Sequence, residues 1–163
     1  MNVQEKYQRL EDTVRQYNPG ANFDLIHAAF VYAEAHHRGQ NRKDGSPFIT
    51  HPLAVAQIVA QELHLDSESI AAALLHDTIE DTDATHEDIA RTFSPTIADI
   101  VEGVSKLTRV QAASKAEEQM ENLRKMLLAM SKDIRVILIK IADRLHNMRP
   151  MQCQSPKKQR EKA

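Results

Sequence analysis

Four ionisable side chains close an apolar run at His76-Asp77-Thr78-Ile79-Glu80-Asp81, directly after Ala71-Ala72-Ala73-Leu74-Leu75. Charged groups at the end of a buried stretch are costly to desolvate unless something compensates them. A bound cation is one such compensation. Neighbouring helical residues point about 100° apart, so His76 and Asp77 can converge on one ion from the same turn. Glu80 lies four residues after His76, and Asp81 four after Asp77, which sets the second acidic pair beside the first. The competing reading is a charged helix end, with His76 and Asp77 as a hydrogen-bonded core pair. An isolated His-Asp dipeptide is weak evidence for a metal; the continuation to Glu80-Asp81 strengthens it.

A second cluster, Lys140, Asp143, Arg144, His146, Asn147 and Arg149, lies on another helix-forming stretch. Asp143 and Asn147 are four apart and share a face. Asp143 interrupts an apolar run from Ile137 to Leu145, either as an acid neutralised by Lys140 or Arg144, or as a remote metal ligand. His51 opens a further helix, as a cap or as a ligand. The preceding loop carries Arg42 and Lys43, which are solvated charges or a phosphate grip at a helix terminus. The remaining histidines, His27, His36, His37, His64, His86 and His146, read as surface or interhelix residues and are assigned no metal.

Three distant segments thus offer two imidazoles and two carboxylates, with no thiolate. That set suits Mn²⁺, Fe²⁺ or Zn²⁺ with positions open for water and substrate, and ligand softness alone does not choose among them.

The elements that must position these groups read as helices. Val3, Tyr7, Leu10 and Val14 mark a first amphipathic helix, stopped by Asn18-Pro19-Gly20. A second carries Leu25 to Ala33 and ends near His37-Arg38-Gly39. After a polar loop, Thr50 or His51 caps a third, with Pro52 in its first turn. Asp66-Ser67 starts a fourth, taken to run through the His76–Asp81 cluster. Thr85 with Asp88 caps a short fifth, and Ser94-Pro95 opens a sixth with Ile97, Ile100, Val101 and Val104 inward. Ser105, Thr108 and Ser114 weaken the pattern from Gly103 to Lys115, a candidate mobile element. A seventh is expected from Ser114 to Met130. An eighth follows a Ser131 cap, and its run Ile134 to Ile139 is apolar on most faces, as for a central helix. The tail beyond it is basic and reads as solvated. No period-2 strand pattern appears, so the fold class is all-α.

Composition narrows the function. The 163 residues suffice for one domain, at 42% hydrophobic and 27% charged. A formal charge of −2 argues against broad binding to DNA, while a local basic patch still admits an anionic small ligand. One cysteine, Cys153, eight histidines and no secretory signal read as a reducing, cytoplasmic setting. No apolar run approaches the length of a membrane span.

The segments Ala35-His36-His37-Arg38-Gly39-Gln40-Asn41-Arg42-Lys43-Asp44-Gly45, Pro47-Phe48-Ile49-Thr50-His51-Pro52, Ala73 to Thr82 and Lys140 to Arg149 together resemble the hydrolase domain of the RelA/SpoT (Rel) alarmone enzymes and the small alarmone hydrolases. The resemblance covers about residues 20–160. It implies the all-helical HD-domain fold. It implies that His51, His76, Asp77 and Asp143 hold Mn²⁺, that Glu80 and Asp81 assist hydrolysis, and that Arg42, Lys43 and Asn147 hold a guanosine nucleotide. The implied substrate is ppGpp or pppGpp, and the products are GDP or GTP with pyrophosphate. Pro150 stands where relatives often carry Thr. The expected organisation is a single HD-type hydrolase domain over 1–163, short of the C-terminal helices of the family domain and without a synthetase domain. Two other readings are an HD phosphohydrolase of another nucleotide and an inactive nucleotide-binding regulatory fragment.

Overall fold

A computed structural model of the chain describes residues 2–112 and 133–152, with side-chain surroundings for 2–107 and 133–148. Most helices start where a side chain can take the first unpaired N–H groups. Asn2 opens α1 (Val3–Tyr17) by accepting from the Glu5 N–H at 2.8 Å, and Asn22 opens α2 (Phe23–His36) by accepting from that of Leu25 at 3.1 Å. Asp66 caps α4 (Ser67–Leu75). Thr85 and Asp88 form a reciprocal capping box at α6 (His86–Thr92), and Ser94 caps α7 (Pro95–Ala112). Among the described residues there is no strand, in keeping with the all-α expectation. The loop between α2 and α3 (Thr50–Leu63) is nevertheless more ordered than a plain polar turn. Arg42 N donates to Ser46 O, Phe48 N donates to Gln40 O, and Asn41 bridges Pro47. Gly45, at φ +89°, supplies the turn that lets this short hairpin close.

The central helix is α4. Its residues Ile70 to Leu75 are all fully buried, walled by α2, α3 and α7. Three consecutive alanines let those neighbours approach closely, so a short helix becomes the axis of the core. The last described helix, α8 (Ile134–Gln152), is not the centre that its apolar run suggests. Val136, Ile139, Ala142 and Asp143 face α3 and α7, whereas Ile134, Ile141, Leu145 and Met148 are 42–59% exposed. One side of the run packs and the other does not. Its start is held by Asp133, whose carboxylate accepts from Arg135 N at 3.0 Å, while Arg135 also reaches Asp66 at 2.9 Å. The expected helix from Ser114 to Met130, the Ser131 cap and the tail from Cys153 onward lie outside the described residues. Ser105 does not interrupt α7, which continues to Ala112; it is buried and turned to the site below. No helix among the described residues is long and apolar enough to cross a membrane.

The α7–α8 crossing depends on one missing side chain. A Cβ built at Gly103 would stand 2.8 Å from Val136 Cγ2 and 3.1 Å from Cγ1. Val136 is buried and β-branched, so it has little room to rotate away. Gly103→Ala is therefore expected to lose about 1 kcal/mol in urea denaturation, with overpacking outweighing the gain in helix propensity. A more stable variant would show that the two helices can part without loss.

Candidate metal centre

The buried axis helix delivers His76 and Asp77, but not as part of a helix running through to Asp81. α4 ends at Leu75, and a separate single turn, α5 (Thr78–Asp81), follows. Side chains cause the break by taking backbone acceptors. His76 Nδ1 bonds Ala73 O at 2.6 Å, and Thr78 Oγ1 donates to Leu75 O at 2.7 Å. Those carbonyls would otherwise accept from the next turn. The kink turns His76 and Asp77 inward and leaves Glu80 and Asp81 at the exposed rim.

A carbonyl only accepts, so His76 Nδ1 carries a proton, and in the neutral ring Nε2 holds the lone pair. Nε2 is fully buried, without a hydrogen-bond partner, 3.1 Å from Asp77 Oδ2 and 3.4 Å from Asp143 Oδ1. His51 lies inside α3, not at its cap; the N-cap is Ile49, with no side-chain bond. His51 Nε2 is 2.7 Å from Asp143 Oδ1 and 3.5 Å from Asp77 Oδ2. The ligand atoms of His51, His76 and Asp77 lie within 4.8 Å of one another, and α8 adds Asp143 to the same cluster. Lys140 holds the second oxygen of Asp143 at 2.8 Å, which fixes the carboxylate so that Oδ1 faces the histidines. Arg144, the other proposed neutraliser, is exposed.

The electrostatics fit a cation. Burial pulls His76 down, but Asp77 and Asp143 outweigh it and push the ring up to about 10. Burial would raise both carboxyls, yet the histidines, with Lys140 at Asp143, hold them below the usual range. Without a cation, the two buried acids must be met by a proton on His76. A divalent ion replaces that proton and uses the unpartnered Nε2 directly. Two imidazoles and two carboxylates, all buried or nearly so, can hold such an ion.

The other expected site residues surround this cluster unequally. Glu80 accepts from the hydroxyl of Ser105 on α7. Asp81 is raised, first by burial and then by Asp77 and Glu80. Asn147 Nδ2 is 3.4 Å from Asp143 Oδ1, one turn along the same face. Arg42 reaches in from the hairpin to 3.3 Å from His146 Nδ1, while Lys43, beside it, is exposed.

Four contributors, His146, His37, Gln40 and Ser105, were given no role at the site from the sequence. His146 pairs with His51, Nδ1 to Nδ1, at 2.7 Å; its place three residues after Asp143 was the available signal. His37 is buried under Phe48, with its ring 4.6 Å away, and bonds Gln40 at 3.2 Å. Gln40 in turn donates to Asp81 O at 2.8 Å, tying the hairpin to the acidic turn. Ser105 carried no signal beyond an imperfect helix pattern.

Known proteins are similar to this chain in sequence and in fold. The sequence profile of the HD domain family matches residues 29–163. A "GTP pyrophosphokinase rsh" of Brucella melitensis is 51% identical over 87% of this chain and 19% of its own length. The "Bifunctional (p)ppGpp synthase/hydrolase SpoT" of Escherichia coli K12 is 48% identical over 94% of this chain and 22% of its own. The chain thus spans about a fifth of the length of these curated relatives. A solved structure described as "A metazoan ortholog of SpoT hydrolyzes ppGpp and plays a role in starvation responses" superposes with a TM-score of 0.60. It is 29% identical, over 84% of this chain and 78% of that one. The buried His-Asp centre, the helices that build it and these matches place the chain in the HD domain family, within its RelA/SpoT branch.

Proposed function

We propose that this chain is a Mn²⁺-dependent hydrolase of ppGpp and pppGpp, releasing pyrophosphate from the 3′ position to leave GDP or GTP. The observation that carries the proposal is the convergence of His51, His76, Asp77 and Asp143 beneath an acidic rim and a basic hairpin. Two kinds of relative bear on it. The curated ones are named for synthesis as well as hydrolysis, but the chain matches only a fifth of them. The metazoan protein, of which the chain matches 78%, is described as hydrolysing ppGpp.

In this reading His51, His76, Asp77 and Asp143 hold the cation. A divalent ion there supplies a water of lowered pKa and neutralises phosphate charge. Glu80, an acceptor from Ser105, takes a proton as the water oxygen bonds to phosphorus. Asp81, raised by its surroundings, gives a proton to the 3′-oxygen as the phosphorus–oxygen bond breaks. Arg42 and Lys43 bind phosphate oxygens, and Asn147 contacts the nucleotide. A soluble nucleotide substrate and a single cysteine suit a cytoplasmic setting.

A substrate panel tests the assignment. With Mn²⁺ present, ppGpp and pppGpp should be consumed, with ¹⁸O from labelled water appearing in pyrophosphate. Deoxynucleoside monophosphates, cyclic dinucleotides and NADPH should survive. Faster turnover of any of these three would redirect the proposal to another nucleotide.

A further inference from the structure

Both histidines of the centre must present a lone pair on Nε2 to serve a cation, and a neutral imidazole does so only if Nδ1 carries the proton. For His76 a backbone carbonyl enforces this, because Ala73 O can only accept. His51 has no such carbonyl. Its Nδ1 faces another ring nitrogen, His146 Nδ1, at 2.7 Å, with the two rings stacked at 4.9 Å.

Two nitrogens at that distance share one proton. With none, two lone pairs would face each other; with two, the protons would collide. Which ring owns the proton is decided by a third group. The Arg42 guanidinium lies 3.3 Å from His146 Nδ1, and a guanidinium has donors and no acceptor. His146 Nδ1 is therefore the lone pair, accepting from Arg42 and His51 alike. The proton stays on His51 Nδ1, and a cation standing between His51 Nε2 and the carboxylates of Asp143 and Asp77 would meet the Nε2 lone pair.

We infer that His146 and Arg42 are positioning residues that hold His51 in its metal-binding tautomer, giving Arg42 a structural duty besides phosphate binding. This rests on the cation-site reading above. It also makes the site depend on the hairpin: the loop that would grip substrate is the loop that prepares a ligand. Outer partners of metal-bound histidines typically contribute 10- to 100-fold in metal affinity.

The test is Mn²⁺ titration of the metal-free protein by calorimetry, with ¹⁵N NMR of the histidine rings. His146→Leu should weaken Mn²⁺ about 10- to 100-fold at unchanged helicity. His146→Asn, whose Oδ1 can replace the Nδ1 acceptor, should recover most of that loss. In the wild type, His51 Nδ1 should show the shift of a protonated nitrogen and His146 Nδ1 that of an unprotonated one, a reading that needs no variant to fold. Wild-type affinity in His146→Leu, an Asn variant no better than Leu, or the reverse ¹⁵N pattern would overturn the inference. His51→Ala separates the two levels. If it leaves Mn²⁺ binding intact, the cation site itself is wrong. If it abolishes binding while His146→Leu does not, only the positioning role falls.

Discussion

Asp143→Asn is expected to cost more Mn²⁺ affinity than the roughly 10- to 100-fold typical of an outer partner, with ppGpp turnover falling in step. The change is nearly isosteric, so packing is kept and charge is the variable. In the native site Asp143 joins both histidines through Oδ1 and is aimed by Lys140 through Oδ2. Asparagine at this position supplies a weaker, neutral oxygen and removes the charged acceptor that the buried Lys140 bonds at 2.8 Å. Calorimetric titration with Mn²⁺ measures the affinity directly. An unchanged constant would mean that Asp143 only neutralises Lys140, the plainer of the two readings open from the sequence.

Glu80→Gln and Asp81→Asn should behave in the opposite sense. Both residues sit at the rim, away from the ligand atoms, so Mn²⁺ affinity should be retained. Turnover should drop about 10²- to 10⁴-fold, the range for a general acid or base. The pair should also separate by pH. Asp81 is raised by burial and by its neighbours, so it holds its proton to higher pH than an ordinary carboxyl. As the proposed acid it works only while protonated, so activity falls as pH rises through its raised pKa. Asp81→Asn should remove that descending limb along with most of the rate, whereas Glu80→Gln should keep it. Wild-type kcat in both variants would remove the rim acids from the chemistry. A descending limb that persists in Asp81→Asn would reassign the acid.

Some of this site could be read from residues alone, and the reasons it stops are physical. The His76–Asp81 cluster was visible because ionisable groups closing an apolar run demand an explanation. Asp143 was visible because it breaks one. The helix break between Leu75 and Thr78 was not, since it comes from side chains capturing Ala73 and Leu75 carbonyls, a competition that helix periodicity does not register. The central position went to α4 instead of α8 for a related reason. Run length favours the Ile134–Ile139 segment, but burial depends on how closely neighbours approach, and Ala71-Ala72-Ala73 permits the closer approach. His51 was ambiguous because its partners stand 92 and 95 residues away, on α8. His146 was set aside because its place one turn from Asp143 does not by itself mark a histidine that supports another histidine. The four metal-ligand candidates do meet in space; the hairpin's link to them through Arg42 and His146 needed the fold.

Pyrophosphate release from ppGpp, followed over a series of Mn²⁺ concentrations in the wild-type chain and in Asp77→Ala, bears most directly on the whole proposal. The expected result is one pyrophosphate per ppGpp with Mn²⁺ present, none after metal stripping, and none from Asp77→Ala at any concentration. Release that persists without a metal, or a wild-type chain that binds Mn²⁺ through His51, His76, Asp77 and Asp143 yet leaves ppGpp intact, would contradict it.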